Sequence, residues 1–220
     1  TYVKTVDDET LLQNSITGWE LKPVAYVLGL TNLILHEIDV PDYHYIDSLK
    51  KEYNTIGKKD QVDIILANPP FGASIADGVE TNFPATYRCR ESADLFVILM
   101  LQLLKPNGRC AIVLPDGSIT GDGVKARIRE KLLTDCNLHT IIRLPQTTFF
   151  PALVRTNLLF FEKGAPTTEI WYYEHNLPIG QKSYSKTKPI QFDEFNPLIN
   201  WWNERTESRI AWKVNVSDLK

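Results

Sequence analysis

The sequence predicts an α/β fold built on a mainly parallel sheet. Apolar runs of strand length alternate with helical patterns, which is typical of βαβ units. Residues 62–67 (VDIILA) form a nearly continuous apolar run, as expected of a strand in a parallel sheet that is buried on both faces. This strand ends before Pro69 and Pro70, because consecutive prolines cannot continue a central strand.

The first part of the chain alternates helix and strand. Residues 3–13 have a helical pattern, and residues 15–20 read as a short strand that ends in an acid. Pro23 suits the first turn of a helix that continues to about residue 36 with apolar residues on one face. Residues 43–46 form a weak strand just before Asp47.

The middle of the chain continues the alternation. Residues 72–90 are rich in Gly, Ala, Ser and Asn and read as a loop. Residues 92–104 form a strongly apolar helix, which a Pro-Asn-Gly turn closes. A strand over 109–114 and an amphipathic helix over 123–134 follow.

Two more strands are predicted over 138–144 and 156–162, and residues 168–173 are a candidate for another. Beyond residue 163 the chain becomes polar and Trp-rich. We therefore expect residues 164–220 to be an extension that packs on the sheet domain of residues 1–163 or follows it.

Composition excludes several classes of protein. With 43% hydrophobic, 23% charged and 10% aromatic residues, the chain is typical of a globular domain rather than a disordered one. Its three widely spaced cysteines and four histidines predict neither a disulfide framework nor a metal site, and they fit a reducing cytosol. A net charge of −3 gives no basic footprint over the whole chain, although a local basic face stays possible.

The most informative segment is Asn68-Pro69-Pro70-Phe71. It directly follows the apolar strand of residues 62–67, and open α/β sheets bind ligands at the carboxyl ends of their strands. The alternative is that the segment is only a turn that ends a strand and packs one aromatic ring.

This segment resembles the Asn/Asp-Pro-Pro-aromatic signature of amino-methyltransferases that use S-adenosylmethionine. An exocyclic amine on adenine is a poor nucleophile because its lone pair is delocalised into the ring. By resemblance, the side-chain oxygen of Asn68 and the backbone carbonyl of Pro69 accept its two N–H bonds. Pro69 and Pro70 hold these acceptors in place, and Phe71 stacks on a base that is flipped out of the duplex.

Further segments resemble one subfamily, the modification (M) subunits of type I restriction–modification systems. The resemblance covers about residues 15–214 and is carried by GWELKP, TNLILH, ANPPFG, LLKPNGRCAIVLPDG, the FFP of residues 149–151 and the tail with Trp201, Trp202 and AWKV.

The resemblance implies a Rossmann-like S-adenosylmethionine-dependent methyltransferase fold, mainly parallel with one antiparallel strand. The family has a Gly-rich cofactor loop after its first strand, and the sequence has no such loop. We therefore expect the chain to begin downstream of it, without that strand and the N-terminal helical region, so that residues 1–163 are a partial catalytic domain.

The same resemblance implies two cofactor-binding acids. Glu20 matches the acid that accepts hydrogen bonds from the ribose hydroxyls of the cofactor, and Asp47 matches the acid that binds the amino group of its adenine. Without the resemblance, Glu20 is equally a solvated residue at a strand end, and Asp47 caps a turn or helix.

The implied function is transfer of a methyl group from S-adenosylmethionine to N6 of adenine in DNA. The resemblance implies a cytoplasmic protein that acts with a specificity subunit, in some complexes also with a restriction subunit, and that does not bind a membrane. Two alternatives stay open. One is a methyltransferase that acts on a protein glutamine amide or an RNA amine, and the other is an inactive, truncated scaffold that contacts partner subunits.

Two groups of side chains have open roles. Phe149 and Phe150 lie where the resembling family approaches the substrate base, but such a pair is more often simply buried. Nine basic residues either contact DNA phosphates or belong to a solvated surface, and the sequence leaves both roles open. They are Arg88, Arg90, Lys125, Arg127, Arg129, Lys131, Lys182, Lys186 and Lys188.

Overall fold

The computed structural model describes residues 3–218. The chain divides into two compact units, one that ends at Lys51 and one that begins at Glu52. No helix within residues 3–218 is long and apolar enough to cross a membrane.

The first unit contains the predicted order of helix, strand, helix and strand. Its elements are α1 (Val6–Gln13), β1 (Thr17–Glu20), α2 (Pro23–Leu35) and β2 (Asp42–Tyr45). Thr5 and Asp8 form a capping box that fixes the start of α1. The strands β1 and β2 are parallel neighbours, and the last residue of each, Glu20 and Tyr45, face each other in the register. Their carboxyl ends therefore lie side by side.

The second unit contains a six-stranded sheet in the order β3-β4-β6-β5-β7-β8. Its strands are β3 (Val62–Ala67), β4 (Leu104–Pro115), β5 (Cys136–Arg143), β6 (Thr156–Lys163), β7 (Glu169–Glu174) and β8 (Ala211–Asn215). Four of them, β3, β4, β5 and β7, run in one direction, while β6 and β8 run in the other. The predicted mainly parallel α/β sheet is confirmed. β6 is the predicted antiparallel strand, and β8 is a second one that the sequence did not reveal.

Helices connect these strands and pack against the sheet. They are α3 (Ser92–Leu103), α4 (Asp116–Thr120), α5 (Val124–Asp135) and α6 (Asn196–Asn203). α3 contacts β4 and α5, and most of its side chains are buried. Leu95 and Ile98 of α3 are fully inaccessible to solvent, and Ile112 of β4 is nearly so. This layer confirms the predicted apolar helix as a core element.

The C-terminal region contributes strands and a helix to this sheet. A second core cluster joins Ile142 and Tyr173 of the sheet to Leu198 of α6 and Ala211 of β8, and Trp202 packs against it. The sequence did not predict α6 or β8. Whether residue 163 is a domain boundary stays a prediction, but β7 and β8 are hydrogen-bonded members of the same sheet.

The Pro-Asn-Gly turn after α3 lies inside β4 rather than before it. Val62 pairs with Leu104 and Ile64 pairs with Arg109, so the ladder contains an irregularity between these two pairs. Asn107 has the left-handed φ of 62° that such a bend requires. For this reason β4 begins earlier than the predicted residue 109.

The prediction that the strand of residues 62–67 is buried on both faces was wrong. Within the described residues, β3 pairs with β4 alone and is an edge strand. The side chains of Ile64 and Leu66 are 54% and 79% exposed. A run of apolar residues is compatible with burial on both faces. It does not show which elements of the fold lie against the strand, and burial depends on those elements.

Replacing Leu95 by alanine tests the core under α3. Because Leu95 is 0% exposed, Leu95→Ala should lower the free energy of unfolding by about 2–5 kcal/mol. The matched change Leu66→Ala, at a side chain that is 79% exposed, should alter it by less than about 0.5 kcal/mol. Urea denaturation followed by circular dichroism measures both. Similar losses in the two variants would contradict this assignment of core and surface.

Candidate active site

Polar residues collect at the carboxyl ends of the parallel strands. Because β3, β4, β5 and β7 run in one direction, their carboxyl ends lie along one edge of the sheet. Asn68 is the first residue after β3, Asp116 the first after β4, and His175 the first after β7, while Arg143 is the last residue of β5. This is the edge at which open α/β sheets bind ligands.

Asn68 and Pro69 keep their acceptor oxygens available. The Asn68 side chain is exposed and makes no hydrogen bond to any residue of the range 3–218. Pro69 is buried, and its carbonyl likewise accepts no hydrogen bond from the described residues. Asn68 borders a groove of about 430 Å³ that crosses β3, β4 and β6. The other residues that line it are Leu66, Ala67, Ala111, Ile112, Val113, Leu158 and Phe160.

The turn that follows Asn68 is fixed from outside by the beginning of α3. The Ser92 hydroxyl donates to the Pro70 carbonyl at 2.8 Å, and the Gly72 N–H donates to the Glu91 carboxylate at 3.1 Å. Ser92 is only 3% exposed. Since proline has no N–H, Pro69 and Pro70 cannot stabilise the turn by donating. Pro70 is thus held through its carbonyl, while the acceptors of Asn68 and Pro69 are left open.

An aromatic contact joins the turn to a second segment of this edge. The ring of Phe71 packs edge-on against Phe149, with centroids 5.4 Å apart and planes at 77°. Phe149 lies between β5 and β6, in a segment whose ends are closed by a hydrogen bond of 2.9 Å from the Leu144 N–H to the Thr156 carbonyl. Phe150 is 48% exposed. The structure therefore brings Phe149 to the predicted site, where it packs against Phe71.

A charged cluster that the sequence analysis missed stands at the same edge. The Asp116 carboxylate accepts from Arg143 at 2.7 Å and from the Asn157 amide at 2.8 Å. The Asp116 N–H donates to the Arg155 carbonyl at 3.0 Å. These bonds connect β4, β5 and β6 beside the segment that carries Phe149. Asp116 directly follows β4, as Asn68 directly follows β3. This position was the signal that could have indicated Asp116.

The two predicted cofactor acids lie in the first unit, at neighbouring strand ends. Glu20 ends β1, and one of its carboxylate oxygens accepts from the Lys22 N–H at 2.6 Å. Asp47 follows β2, and its Oδ1 accepts from the Leu49 N–H at 3.1 Å. Asp47 therefore does cap a turn, which was the alternative to cofactor binding. The second oxygen of each acid has no hydrogen bond within residues 3–218.

The sequence profile of the N-6 DNA methylase family matches residues 1–220. The chain belongs to this family. A match over the whole sequence agrees with the resemblance that its motifs carry, and it places the Asn-Pro-Pro-Phe turn in a family of DNA methylases.

Individual methylases agree with this assignment. The methylase subunit of the type I restriction enzyme EcoEI from Escherichia coli is 48% identical over 99% of this chain and 46% of its own length. A modification subunit assigned to a type I restriction enzyme of Vibrio vulnificus has 42% identity and a TM-score of 0.93, over 99% of this chain and 47% of that one. This chain thus spans about half the length of these relatives.

A more distant relative supports the fold alone. The M protein of the type I restriction enzyme EcoKI has 24% identity and a TM-score of 0.76, over 97% of this chain and 53% of that one. Its likeness agrees with the Rossmann-like methyltransferase fold expected from the sequence.

His175 gives the sheet edge a predictable response to pH. Its ring stacks on Phe195 with centroids 4.6 Å apart, and its buried Nε2 has no hydrogen-bond partner within residues 3–218. Burial lowers the pKa of His175 from its ordinary value of 6.5, so the unfolded chain takes up the proton first as the pH falls. Stability that is present above about pH 6.5 is therefore lost as the pH falls through the folded-state pKa.

The free energy of unfolding should accordingly be lower at pH 5.5 than at pH 7.5, and His175→Gln should reduce this difference. Denaturation curves at the two pH values measure it. The control His36→Gln alters an exposed histidine and should leave the difference as in the wild type. An unchanged pH dependence in His175→Gln would refute the assignment.

Proposed function

We propose that the protein transfers a methyl group from S-adenosylmethionine to N6 of adenine in DNA. The observation that carries this proposal is the turn Asn68–Phe71 at the carboxyl end of β3. Its Asn68 amide oxygen and Pro69 carbonyl accept no hydrogen bond from the residues that the structure describes. Membership of the N-6 DNA methylase family supports it.

Asn68 and Pro69 act on the amino group of the target base. Two oxygen acceptors that take its two N–H bonds draw electron density toward the nitrogen and favour a tetrahedral, nucleophilic geometry. Both acceptors are preorganised, since Pro69 is buried and Pro70 is held by Ser92. No strong general base is needed, because the nitrogen becomes very acidic once it carries the new methyl group.

Phe71 and the two cofactor acids have separate roles in this proposal. Phe71 is half-buried and offers a flat surface on which an extruded adenine stacks. Glu20 and Asp47 would hold the cofactor, since they lie at the carboxyl ends of two adjacent parallel strands and each has one carboxylate oxygen without a hydrogen bond to the described part of the chain. When bound, S-adenosylmethionine supplies an electrophilic methyl group on a positively charged sulfur.

We further propose that the protein acts as the modification subunit of a type I complex in the cytoplasm. The relative from Escherichia coli is named as the methylase subunit of a type I restriction enzyme. Nothing in the sequence resembles a module that reads bases, so a separate specificity subunit would select the DNA sequence, and a restriction subunit would complete the assembly. The three free cysteines suit a reducing compartment.

Asn68→Ala tests the catalytic proposal. Because the change removes one of the two acceptors, kcat should fall by about 100-fold or more. The assay follows transfer of a labelled methyl group to duplex DNA by the full-length subunit assembled with its partners. The exposed Asn54 provides the matched control Asn54→Ala, which should retain wild-type activity. Methylation by Asn68→Ala at close to the wild-type rate would overturn the mechanism.

The same assay separates the alternative substrates. RNA and a glutamine-containing protein take the place of duplex DNA in parallel reactions. Label in either of these instead of in DNA would favour the alternative methyltransferases, and label in none of the three would favour the scaffold.

Ser92→Ala tests whether the Pro70 carbonyl must be held. Without the hydroxyl, the turn loses its bond to α3 and its acceptors shift, so kcat should fall by about tenfold or more with little change in KM for the cofactor. Ser92→Thr keeps a hydroxyl and should recover much of the rate. Ser118 provides the control, because it is also buried but its hydroxyl has no hydrogen-bond partner among residues 3–218. Equal rates for Ser92→Ala and Ser118→Ala would show that the tether has no part in turnover.

A further inference from the structure

Six of the nine basic side chains noted in the sequence make contacts inside the protein. Arg90, Lys125 and Lys131 form ion pairs with Asp77, Asp94 and Asp135. The other three donate to backbone carbonyls: Arg88 to those of Phe83 and Thr81, Arg127 to that of Thr86, and Arg129 to those of Ser118 and Gly121. The internal contacts account for these six without any bound phosphate.

Lys182, Lys186 and Lys188 differ from these six. All three are exposed, and their ammonium groups make no ion pair or hydrogen bond within the part of the chain that the structure describes. Residues 175–192 contain these three lysines and no Asp or Glu. In a protein with a net charge of −3, the segment is therefore a local concentration of positive charge.

The segment is a built hairpin. Ser185 and Lys188 exchange two backbone hydrogen bonds of 3.0 and 3.1 Å, so that Lys186 lies in the tight turn between them. The hairpin that carries the three lysines, residues 182–188, is hereafter the lysine hairpin. It presents its charges from a defined backbone.

Tyr184 anchors the lysine hairpin. Its side chain is 2% exposed, and its hydroxyl donates to the Glu194 carboxylate at 2.5 Å. Burial and the neighbouring Glu194 raise the pKa of Tyr184, which keeps the hydroxyl protonated as a donor. The Tyr184 N–H donates to the Thr147 hydroxyl at 2.8 Å. Thr147 belongs to the segment whose Phe149 packs against Phe71, so the hairpin is connected to the proposed site.

The hairpin begins eight residues after the end of β7, and β7 is four strands from β3 in the sheet. The Tyr184–Thr147 contact holds it on the same side of the sheet edge as the segment that carries Phe149. A duplex that presents its adenine to Asn68 can therefore also offer phosphates to the hairpin.

We propose that the lysine hairpin binds the phosphate backbone of the DNA duplex that carries the target adenine. This inference rests on the proposed function. Lysine fits that role because its ammonium group is a compact point charge that attracts phosphate without reading base edges. The hairpin thus contributes affinity and orientation, and it leaves the choice of sequence to other parts of the complex.

Replacing Lys182, Lys186 and Lys188 together by Gln tests the proposal. The full-length subunit in its DNA-binding complex is titrated with duplex DNA at several salt concentrations. Each lost phosphate contact lowers the slope of log affinity against log salt by about 0.9, so the slope should become shallower by about two to three. Affinity should fall by the same factor for cognate and unrelated duplexes.

Lys4, Lys58 and Lys59 provide a control with the same change in charge, since they are also exposed. Their triple Gln variant should keep the wild-type slope. Equal slopes for the hairpin variant and the wild type would overturn the proposal. If the hairpin variant also failed to assemble with the other subunits, the lysines would bind an acidic partner protein instead of DNA.

Neutral methylphosphonate linkages in the duplex locate the contact. Placed one at a time along the duplex on both sides of the target adenine, they should weaken binding by the wild type but not by the hairpin variant at one or a few positions. If every linkage weakened both proteins equally, the proposal would be refuted. Methyl transfer by the wild type is measured in parallel, so that absence of any label in adenine would count against the proposed function, whereas the salt slopes report on the hairpin alone.

Discussion

The candidate site depends on two hydrogen bonds at the beginning of α3, from the Ser92 hydroxyl to the Pro70 carbonyl and from the Gly72 N–H to the Glu91 carboxylate. Two consecutive prolines end β3 and provide no N–H donors at the centre of the turn, so another part of the fold holds it. α3 can supply that support because its first residues are buried and its core side chains fix its position. The packing of α3 thereby decides where the Asn68 and Pro69 oxygens point.

The rest of the edge is assembled in the same way, by side chains that follow one strand and bind to another. The Asp116 carboxylate, directly after β4, accepts hydrogen bonds from Arg143 of β5 and from Asn157 of β6. Phe149, in the segment between those two strands, then reaches Phe71. Parallel strands bring their carboxyl ends together whatever residues follow them, so a functional edge can be built from short segments that are distant in sequence.

The sequence predicted what depends on local pattern. The strand of residues 62–67, the apolar helix from Ser92 and the Asn-Pro-Pro-Phe turn all have a strong local signal, and the structure contains each of them. β8 was missed because Ala211 and Val214 are its only aliphatic residues. The exposure of Leu66 and the role of Ser92 were also missed, since both depend on which elements lie nearby in the folded chain.

Net charge illustrates the same limit. A value of −3 suggests no affinity for a polyanion, yet it sums charges that the fold treats differently. Lys125 is neutralised by the buried carboxylate of Asp94, which is 2% exposed, whereas Lys182 and Lys186 have no such partner among the described residues. Charges that are paired inside the protein contribute little to the electrostatic potential at its surface. A chain with a negative net charge can therefore still present a basic surface to DNA beside its proposed catalytic edge.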